Sequence, residues 1–361
     1  MSAPPGNAPS GACRALRGPI ELPLRAPAAL SLHAETVEVV LDDDGRPRTV
    51  SFPVAPVPPP SSAPAPAREA AEGGARPGYA VPCAAGGDHL FCADHAGAVH
   101  RTARDGSGDR IVASSRAGSR IAAATLGGTH AALGYLASRQ TSEGWVSEAW
   151  LAVDDEPPQR LSEDGSGATS LALSPRGNGV LALSVDARSA LTALHVRPVT
   201  FEGKAHLGED VVAFVGGPGD RRTGAALAVP PSGPAWALLP IAKDVGSFGL
   251  SIVRLDEQPR VDEPVVWSMY PNGLDPAPVA AVSPGGGKSW VARVRPQGPE
   301  PGSPRVLELG DLTSDGAFAP RDLVATGGKP SDVALALDPQ GALWLAWVDA
   351  GGSWLERLAC K

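Results

Sequence analysis

The sequence predicts an all-β protein, a β-propeller of six or seven four-stranded blades. Three observations lead to this prediction. One turn motif recurs at a fixed period, short strand-like runs surround each copy of it, and two cysteines lie near opposite ends of the chain. A closed ring accounts for all three, because it repeats one unit and brings its two ends together.

The repeated unit consists of an apolar run, a turn of the form x-Pro-x-Gly and a second apolar run. Proline at the second turn position and glycine at the fourth are typical of a type I turn, so each copy predicts a hairpin. The glycines recur about every 55 residues, slightly more than a typical propeller blade. Two weaker copies, around Gly87 and Gly128, lack the proline and bring the total to six. The four clear copies are Ser170–Gly177, Ala226–Gly233, Val279–Gly286 and Ala334–Gly341. A pair of β-sandwiches shares the short strands but does not predict one motif at a fixed period.

The N-terminal region supplies further strand-like runs, at Ile20–Leu24, Thr36–Leu41 and Arg48–Phe52. The last repeat has three such runs, so one N-terminal run is expected to complete that blade and remove a sheet edge. The spare runs can add a seventh blade, and the sequence leaves six and seven open. We divide the chain into an N-terminal tail (1–17), N-terminal strands (18–54), a proline-rich connector (55–78) and the blades (79–361).

Two of the hairpins resemble motifs of known propeller families. Asp338–Trp344 resembles the D-x-x-G-x-x-W hairpin of NHL-like blades, and Ser283–Trp290 resembles an Asp box in which Gly285 replaces the defining aspartate. The repeats as a whole loosely resemble TolB-like, NHL-like and Asp-box propellers. This resemblance covers roughly residues 79 to 359 and implies a fold, not an activity.

The four cysteines predict two disulfides. Cys83 and Cys92 flank a tight turn, so they lie opposite each other in the predicted hairpin. Cys13 and Cys360 lie near the two ends, which a closed ring brings together. Disulfides favour a periplasmic or extracellular location, with a leader removed from this chain, since residues 1–11 do not form a signal peptide. The alternative is a cytoplasmic protein with four buried thiols.

The charge of the chain limits its partners. A net charge of −8 argues against nucleic acid as the main partner, because phosphate binding requires a basic surface. No run of apolar residues is long enough for a transmembrane helix. We therefore expect a protein or a cell-envelope component as the partner.

No catalytic motif stands out in the sequence, and we expect no cofactor. The best binding candidates are Trp145, Arg139 and Glu143, in a polar loop between the second and third strands of one blade, because exposed aromatics on such loops often bind ligands. The spacing of Asp105 and Asp109 also admits a Ca²⁺ site, without the remaining residues of an EF-hand.

These observations favour a non-enzymatic exported propeller that acts as a binding or scaffold module. The alternative is a glycan-acting hydrolase or lyase with carboxylates in its central funnel. A third reading is a lectin-like or metal-stabilised module. A funnel lined by two carboxylates and a basic residue would favour the enzyme.

Overall fold

The computed structural model describes most of the predicted strands. The described residues are 13–22, 29–33, 35–43, 46–54, 83–117, 119–142, 144–186, 192–214, 221–222, 224–243, 247–255, 266–269, 279–283, 289–296, 305–324, 330, 332–349 and 352–360. The proline-rich connector predicted at 55–78 lies outside them, and the four-part division of the chain stays a prediction.

The described strands form seven antiparallel sheets, which are the blades of a propeller. Strand β1 (Cys13–Leu22) belongs to the last blade, although it comes first in the chain. Blades 1 to 3 follow in chain order. Blade 1 consists of β2 (Ala29–His33), β3 (Thr36–Asp43) and β4 (Arg46–Pro53). Blade 2 consists of β5 (Cys83–Gly86), β6 (His89–Ala93), β7 (Ala98–Ala103) and β8 (Arg110–Ser114). Blade 3 consists of β9 (Ala122–Leu126), β10 (His130–Thr141), β11 (Gly144–Val153) and β12 (Gln159–Arg160).

Blades 4 to 6 continue the same pattern. In blade 4, β16 and β17 both pair with the third strand, and in blade 5, β18 and β19 both pair with the second strand. Blade 4 consists of β13 (Ala168–Arg176), β14 (Gly179–Asp186), β15 (Ala193–Phe201), β16 (Ala205–Leu207) and β17 (Val211–Phe214). Blade 5 consists of β18 (Arg221–Arg222), β19 (Ala226–Ala228), β20 (Ala235–Lys243), β21 (Ser247–Leu255) and β22 (Val266–Met269). Blade 6 consists of β23 (Val279–Val282), β24 (Ser289–Pro296), β25 (Arg305–Leu312) and β26 (Phe318–Val324).

Blade 7 joins the two ends of the chain. It contains β27 (Asp332–Leu337), β28 (Leu343–Asp349) and β29 (Gly352–Cys360), and β1 pairs with β29 as its fourth strand. The N-terminal strands therefore have both predicted roles: β1 completes the last blade, and β2–β4 form an additional blade. This decides between six and seven blades in favour of seven.

The innermost strands of the blades contact one another around a complete circle. The contacts run β2 to β5, β9, β13, β19, β23 and β27, and from β27 back to β2. These strands are rich in alanine, whose small side chain suits the crowded centre of a propeller. The predicted propeller is confirmed, with seven blades.

The repeated turn joins the first and second strands of a blade, as predicted. Gly177 and Gly341 follow β13 and β27 with φ of 60° and 78°, a conformation that glycine adopts without the strain of a side chain. The tryptophans that follow the turn, Trp236, Trp290 and Trp344, are buried. They are therefore part of the core.

The hydrophobic core is divided into seven clusters, one at each blade-to-blade interface. The smallest described cluster joins blades 1 and 2 through Val40, Leu90 and Cys92. The others join blades 2 and 3, 3 and 4, 4 and 5, 5 and 6, 6 and 7, and 7 and 1. Each blade is therefore apolar on both faces, as closely packed strands require.

Both predicted disulfides are present. Cys83 lies opposite Cys92 in the β5–β6 hairpin and is bonded to it. Cys13 lies opposite Cys360 where β1 pairs with β29, and this second disulfide links the two ends of the ring.

Candidate ligand-binding site

The connections between strands divide the ring into two faces. Because the strands are antiparallel, the loops from second to third strand and from fourth strand to the next blade lie on one face, which we call the upper face. The loops from first to second and from third to fourth strand lie on the lower face. The β10–β11 loop, predicted to bind a ligand, belongs to the upper face.

The β10–β11 hairpin is unusually long. Its pairing extends from Ala132 opposite Val153 to Thr141 opposite Gly144. The half near the sheet centre is buried, whereas residues 138–140 and 144–145 are exposed. The tip of this hairpin therefore projects from the upper face of blade 3.

Trp145 lies at this tip, opposite Gln140. Its exposed fraction of 71% is the highest of the large apolar side chains that the structure describes. An indole in this position has its apolar surface open to solvent, which costs free energy unless a partner covers it.

A network of ion pairs supports the base of the hairpin. Glu148 is almost completely buried, and its Oε1 accepts hydrogen bonds from Arg139 Nη2 at 2.9 Å and from the Gly165 N–H at 2.9 Å. Asp164 contacts Arg139 and accepts a hydrogen bond from Arg160 Nη1 at 2.9 Å. The hydrogen bond and charge of Glu148, with the charge of Asp164, raise the pKa of Arg139 above its usual value. These contacts tie the hairpin to the loop that leads into blade 4.

A groove of about 310 Å³ lies beside Trp145. Its lining comes from three segments at the upper face: the connection before β9, the start of β11, and the end of the connection into β13 with the first residues of that strand. The residues are Arg116, Trp145, Ser147, Gly167, Ala168 and Thr169, with Val146. Arg116 Nη1 donates a hydrogen bond to Ser147 Oγ at 3.3 Å, which links the first connection to the hairpin.

The structure separates the predicted binding residues. Trp145 lines the groove, Arg139 belongs to the supporting network and does not line it, and Glu143 lies outside the described residues. Sequence reasoning missed Arg116, Ser147 and Thr169. The phase of the repeat places the loop before β9, the β10–β11 tip and the start of β13 on one face, but it does not show that these three residues line one groove.

A second groove, of about 640 Å³, lies on the lower face between blades 3 and 4. Its aromatic residue, Phe201, is stacked on His130 with ring centroids 3.7 Å apart. His130 is held in turn by Asp154, with 2.6 Å between Nδ1 and Oδ2. One face of the Phe201 ring is therefore covered by the His130 ring, whereas the indole of Trp145 is largely exposed.

Blade 4 contains a buried cluster of charged groups. His195 Nδ1 lies 2.8 Å from Asp210 Oδ2, and its Nε2 lies 3.3 Å from Asp186 Oδ2. Burial raises the pKa of the Asp186 carboxyl, while the charge of His195 opposes that shift. His195 is only 4% exposed, so this cluster does not reach a ligand at the surface.

The described parts of the innermost strands carry a single carboxylate, Asp332 at the start of β27. It forms an ion pair with Arg120, which precedes β9 in blade 3. Blades 3 and 7 are not neighbours, so this ion pair spans the upper end of the central channel.

The side chains of Asp105 and Asp109, the predicted Ca²⁺ ligands, contact other groups of the protein. Asp105 Oδ1 accepts hydrogen bonds from the Ser107 hydroxyl at 2.6 Å and its N–H at 2.9 Å, and these bonds lower the pKa of the Asp105 carboxyl. Asp109 lies 3.1 Å from His100 Nδ1. Within the described residues, no three His, Cys, Asp or Glu side chains are grouped to hold a metal ion. Calcium binding at Asp105 and Asp109 stays a prediction.

Comparisons with known proteins support the fold. The sequence matches no protein-family model and no curated protein. Among solved structures, the chain is similar to a protein of unknown function from Dyadobacter fermentans, with a TM-score of 0.55, 10% identity and coverage of 97% of this chain and 100% of the other. It is also similar to the β-propeller domain of Cps50 (Swd1) from Myceliophteria thermophila, with a TM-score of 0.51, 8% identity and coverage of 96% and 99%. At these identities the likeness concerns the propeller fold alone. No helix in the described part of the chain could span a membrane.

Proposed function

We propose that this chain is a non-enzymatic, exported β-propeller that binds a protein or a cell-envelope component through the upper face of blade 3. The observation that carries the proposal is the 71% exposure of Trp145 at the tip of a supported hairpin, next to a groove. Exposed aromatic anchors on rigid supports are typical of binding sites, because little entropy is lost when they are covered. Two disulfides favour an oxidising compartment outside the cytoplasm.

A glycan-cleaving enzyme is less well supported. Glycoside hydrolysis commonly uses two carboxyl groups on opposite sides of the bond that is cleaved. The innermost strands, as far as they are described, carry only Asp332, whose charge is paired with Arg120. This arrangement supports binding over cleavage in the central channel.

The test compares three immobilised proteins: the wild type, Trp145→Ala and Ile111→Ala. Ile111 is the matched control, because it is also large, apolar and exposed (64%) but does not line the groove. Each is incubated with an envelope extract of the source organism, and retained proteins and glycans are quantified. The retained component is then purified and titrated against each variant.

We expect saturable binding by the wild type and by Ile111→Ala, and a loss of at least about tenfold in affinity for Trp145→Ala. Equal binding by all three proteins would contradict the site. Release of reducing ends from a glycan by the wild type would contradict the non-enzymatic role.

A further inference from the structure

The groove beside Trp145 combines an apolar flat surface with a cation and a hydroxyl group. The indole of Trp145 forms one wall, while Arg116 and Ser147 are linked to each other at 3.3 Å on the same groove. A volume of about 310 Å³ is at the lower end for small-molecule pockets, which suits one compact unit of a ligand better than a long segment.

Arg116 differs from the neighbouring arginines in its partners. Arg110, Arg139 and Arg160 each form an ion pair with an aspartate or glutamate. In the described part of the chain, no carboxylate lies within ion-pair distance of Arg116, and its guanidinium bonds to the hydroxyl of Ser147. A planar guanidinium is well matched to a carboxylate, which can accept two parallel hydrogen bonds from it.

We propose that this groove binds the uronic-acid unit of an acidic saccharide. This proposal rests on the proposed function and names the chemical class of its ligand. The apolar face of the pyranose ring covers Trp145, and the carboxylate of the sugar pairs with Arg116. The O–H of Ser147, whose oxygen already accepts from Arg116, donates to a ring hydroxyl.

The net charge of −8 does not prevent such binding. At physiological ionic strength charges are screened beyond about 8 Å, so the contact with Arg116 outweighs the distant acidic groups. A peptide with acidic side chains shares the carboxylate, but it lacks the saturated ring that covers an indole face while its edge presents hydroxyls. We therefore favour the saccharide and treat the acidic peptide as an outcome of the test.

The experiment is calorimetric titration with matched ligands at physiological ionic strength. The ligands are tetrasaccharides of galacturonate, glucuronate, mannuronate and guluronate, their methyl esters, the corresponding neutral tetrasaccharides, and a tetraglutamate peptide. The proteins are the wild type, Arg116→Gln, Trp145→Ala and Arg176→Gln. Arg176 is the charge-matched control, because it is exposed and lines the groove on the lower face.

We expect the wild type and Arg176→Gln to bind at least one uronate tetramer at least about tenfold more tightly than its methyl ester. Arg116→Gln abolishes this preference for the charged form, while Trp145→Ala weakens the binding of both forms by about tenfold or more. This pattern separates the carboxylate contact from the contact with the ring.

Three results would overturn the proposal: no tetrasaccharide binds, the esters bind as tightly as the acids, or tetraglutamate binds in preference to every uronate. If no uronate binds but retention of an envelope component still depends on Trp145, the acidic saccharide is wrong and the binding function stands. If no uronate binds and the retention of an envelope component does not depend on Trp145 either, the acidic saccharide and the proposed binding function are both wrong.

Discussion

Asp338 shows how a single buried carboxylate organises a blade. Its Oδ2 accepts hydrogen bonds from Arg357 Nη2 at 2.7 Å, Arg357 Nε at 2.9 Å and Trp344 Nε1 at 3.1 Å. Its Oδ1 accepts from the N–H groups of Gln340 and Ala342. The aspartate of the NHL-like hairpin therefore fixes the turn, the first tryptophan of the second strand and an arginine on the third strand.

Replacement of Asp338 should be severely destabilising. Asp338→Ala removes the carboxylate that accepts two hydrogen bonds from Arg357, which is only 5% exposed, and removing one partner of a buried pair costs about 3–5 kcal/mol. The free energy of unfolding, measured with denaturant, tests this. Asp164→Ala is the control, since Asp164 also pairs with two arginines but is exposed, and it should have little effect. Similar losses for both variants would contradict the account.

Asp186 should make the stability depend on pH. Burial raises the pKa of its carboxyl, so the folded state binds a proton more tightly than the unfolded state. The contribution of Asp186 to the free energy of unfolding is then fully present at a pH below 3.8, the ordinary pKa of an aspartate. It is lost as the pH rises through the raised pKa of the folded protein. His195 contacts Asp186, Asp210 contacts the other side of His195, and the charge of Glu163 acts on Asp186; all three residues are kept in the variant that is compared.

The measurement is the melting temperature of the wild type and of Asp186→Asn between pH 4 and pH 8. The melting temperature of the variant minus that of the wild type should increase as the pH rises from 4, because only the wild type loses the stabilising contribution of the Asp186 carboxyl. A difference that is constant, or that falls with pH, would show that the pKa of Asp186 is not raised.

At this scale the sequence predicts only part of the site. Trp145 could be selected because it interrupts a polar loop, whereas the buried tryptophans follow the repeated turn. Arg116 could not be selected, because it belongs to another connection and its importance depends on the packing of blades 2, 3 and 4. Arg139 belongs to the same polar loop, but it pairs with Glu148, nine residues later in the chain, within the blade.

Strand β1 is the element on which the ring depends. It is the first described strand of the chain, yet it completes the blade formed by the last strands, and its disulfide joins residues separated by 347 positions. The Cys83–Cys92 disulfide spans only 9 positions within one hairpin. Closing a long loop removes more entropy from the unfolded chain than closing a short one.

The two disulfides should therefore differ in their contribution to stability. The chain-entropy model gives about 5–6 kcal/mol as an upper figure for the bridge across 347 positions and about 3 kcal/mol for the one across 9. We expect the Cys13→Ala/Cys360→Ala protein to melt at a lower temperature than Cys83→Ala/Cys92→Ala, by differential scanning calorimetry. The reverse order would mean that β1 holds the ring without the bridge.

The elements themselves were largely predictable. The turn signature identified the first hairpins of blades 4 to 7, since proline and glycine restrict the local backbone. The number of blades was not predictable, because Ile20–Leu24, Thr36–Leu41 and Arg48–Phe52 have similar patterns and lack the turn. Only pairing with β29 separates β1 from the strands of blade 1.

At the scale of the whole molecule, the seven interfaces are unequal. Among the described residues, the interface between blades 1 and 2 has the smallest apolar cluster, and polar contacts supplement it. Arg104 of blade 2 pairs with Glu38 and donates to Ser31 Oγ at 3.0 Å, both in blade 1. We expect this interface to open before the others, because little apolar area holds it together.

Hydrogen exchange tests this expectation. Arg104→Ala leaves Glu38 buried without its partner and should accelerate amide exchange in β2–β6 by about tenfold or more, while blade 5 stays protected. Arg110→Ala, an exposed arginine of the same blade, is the control and should leave β2–β6 unchanged. Uniform acceleration around the ring would contradict a weak interface.

Strand β1 and the Cys13–Cys360 disulfide close the seven-bladed ring, and we propose that the protein folds in an oxidising compartment. The measurement that tests both is alkylation of the protein in the cells that produce it, followed by peptide mapping without reduction. We expect linked peptides for Cys13–Cys360 and Cys83–Cys92 and no alkylated cysteine. Alkylated cysteines would contradict the oxidising compartment, and a bridge between the two pairs would contradict the closure of the ring by Cys13–Cys360.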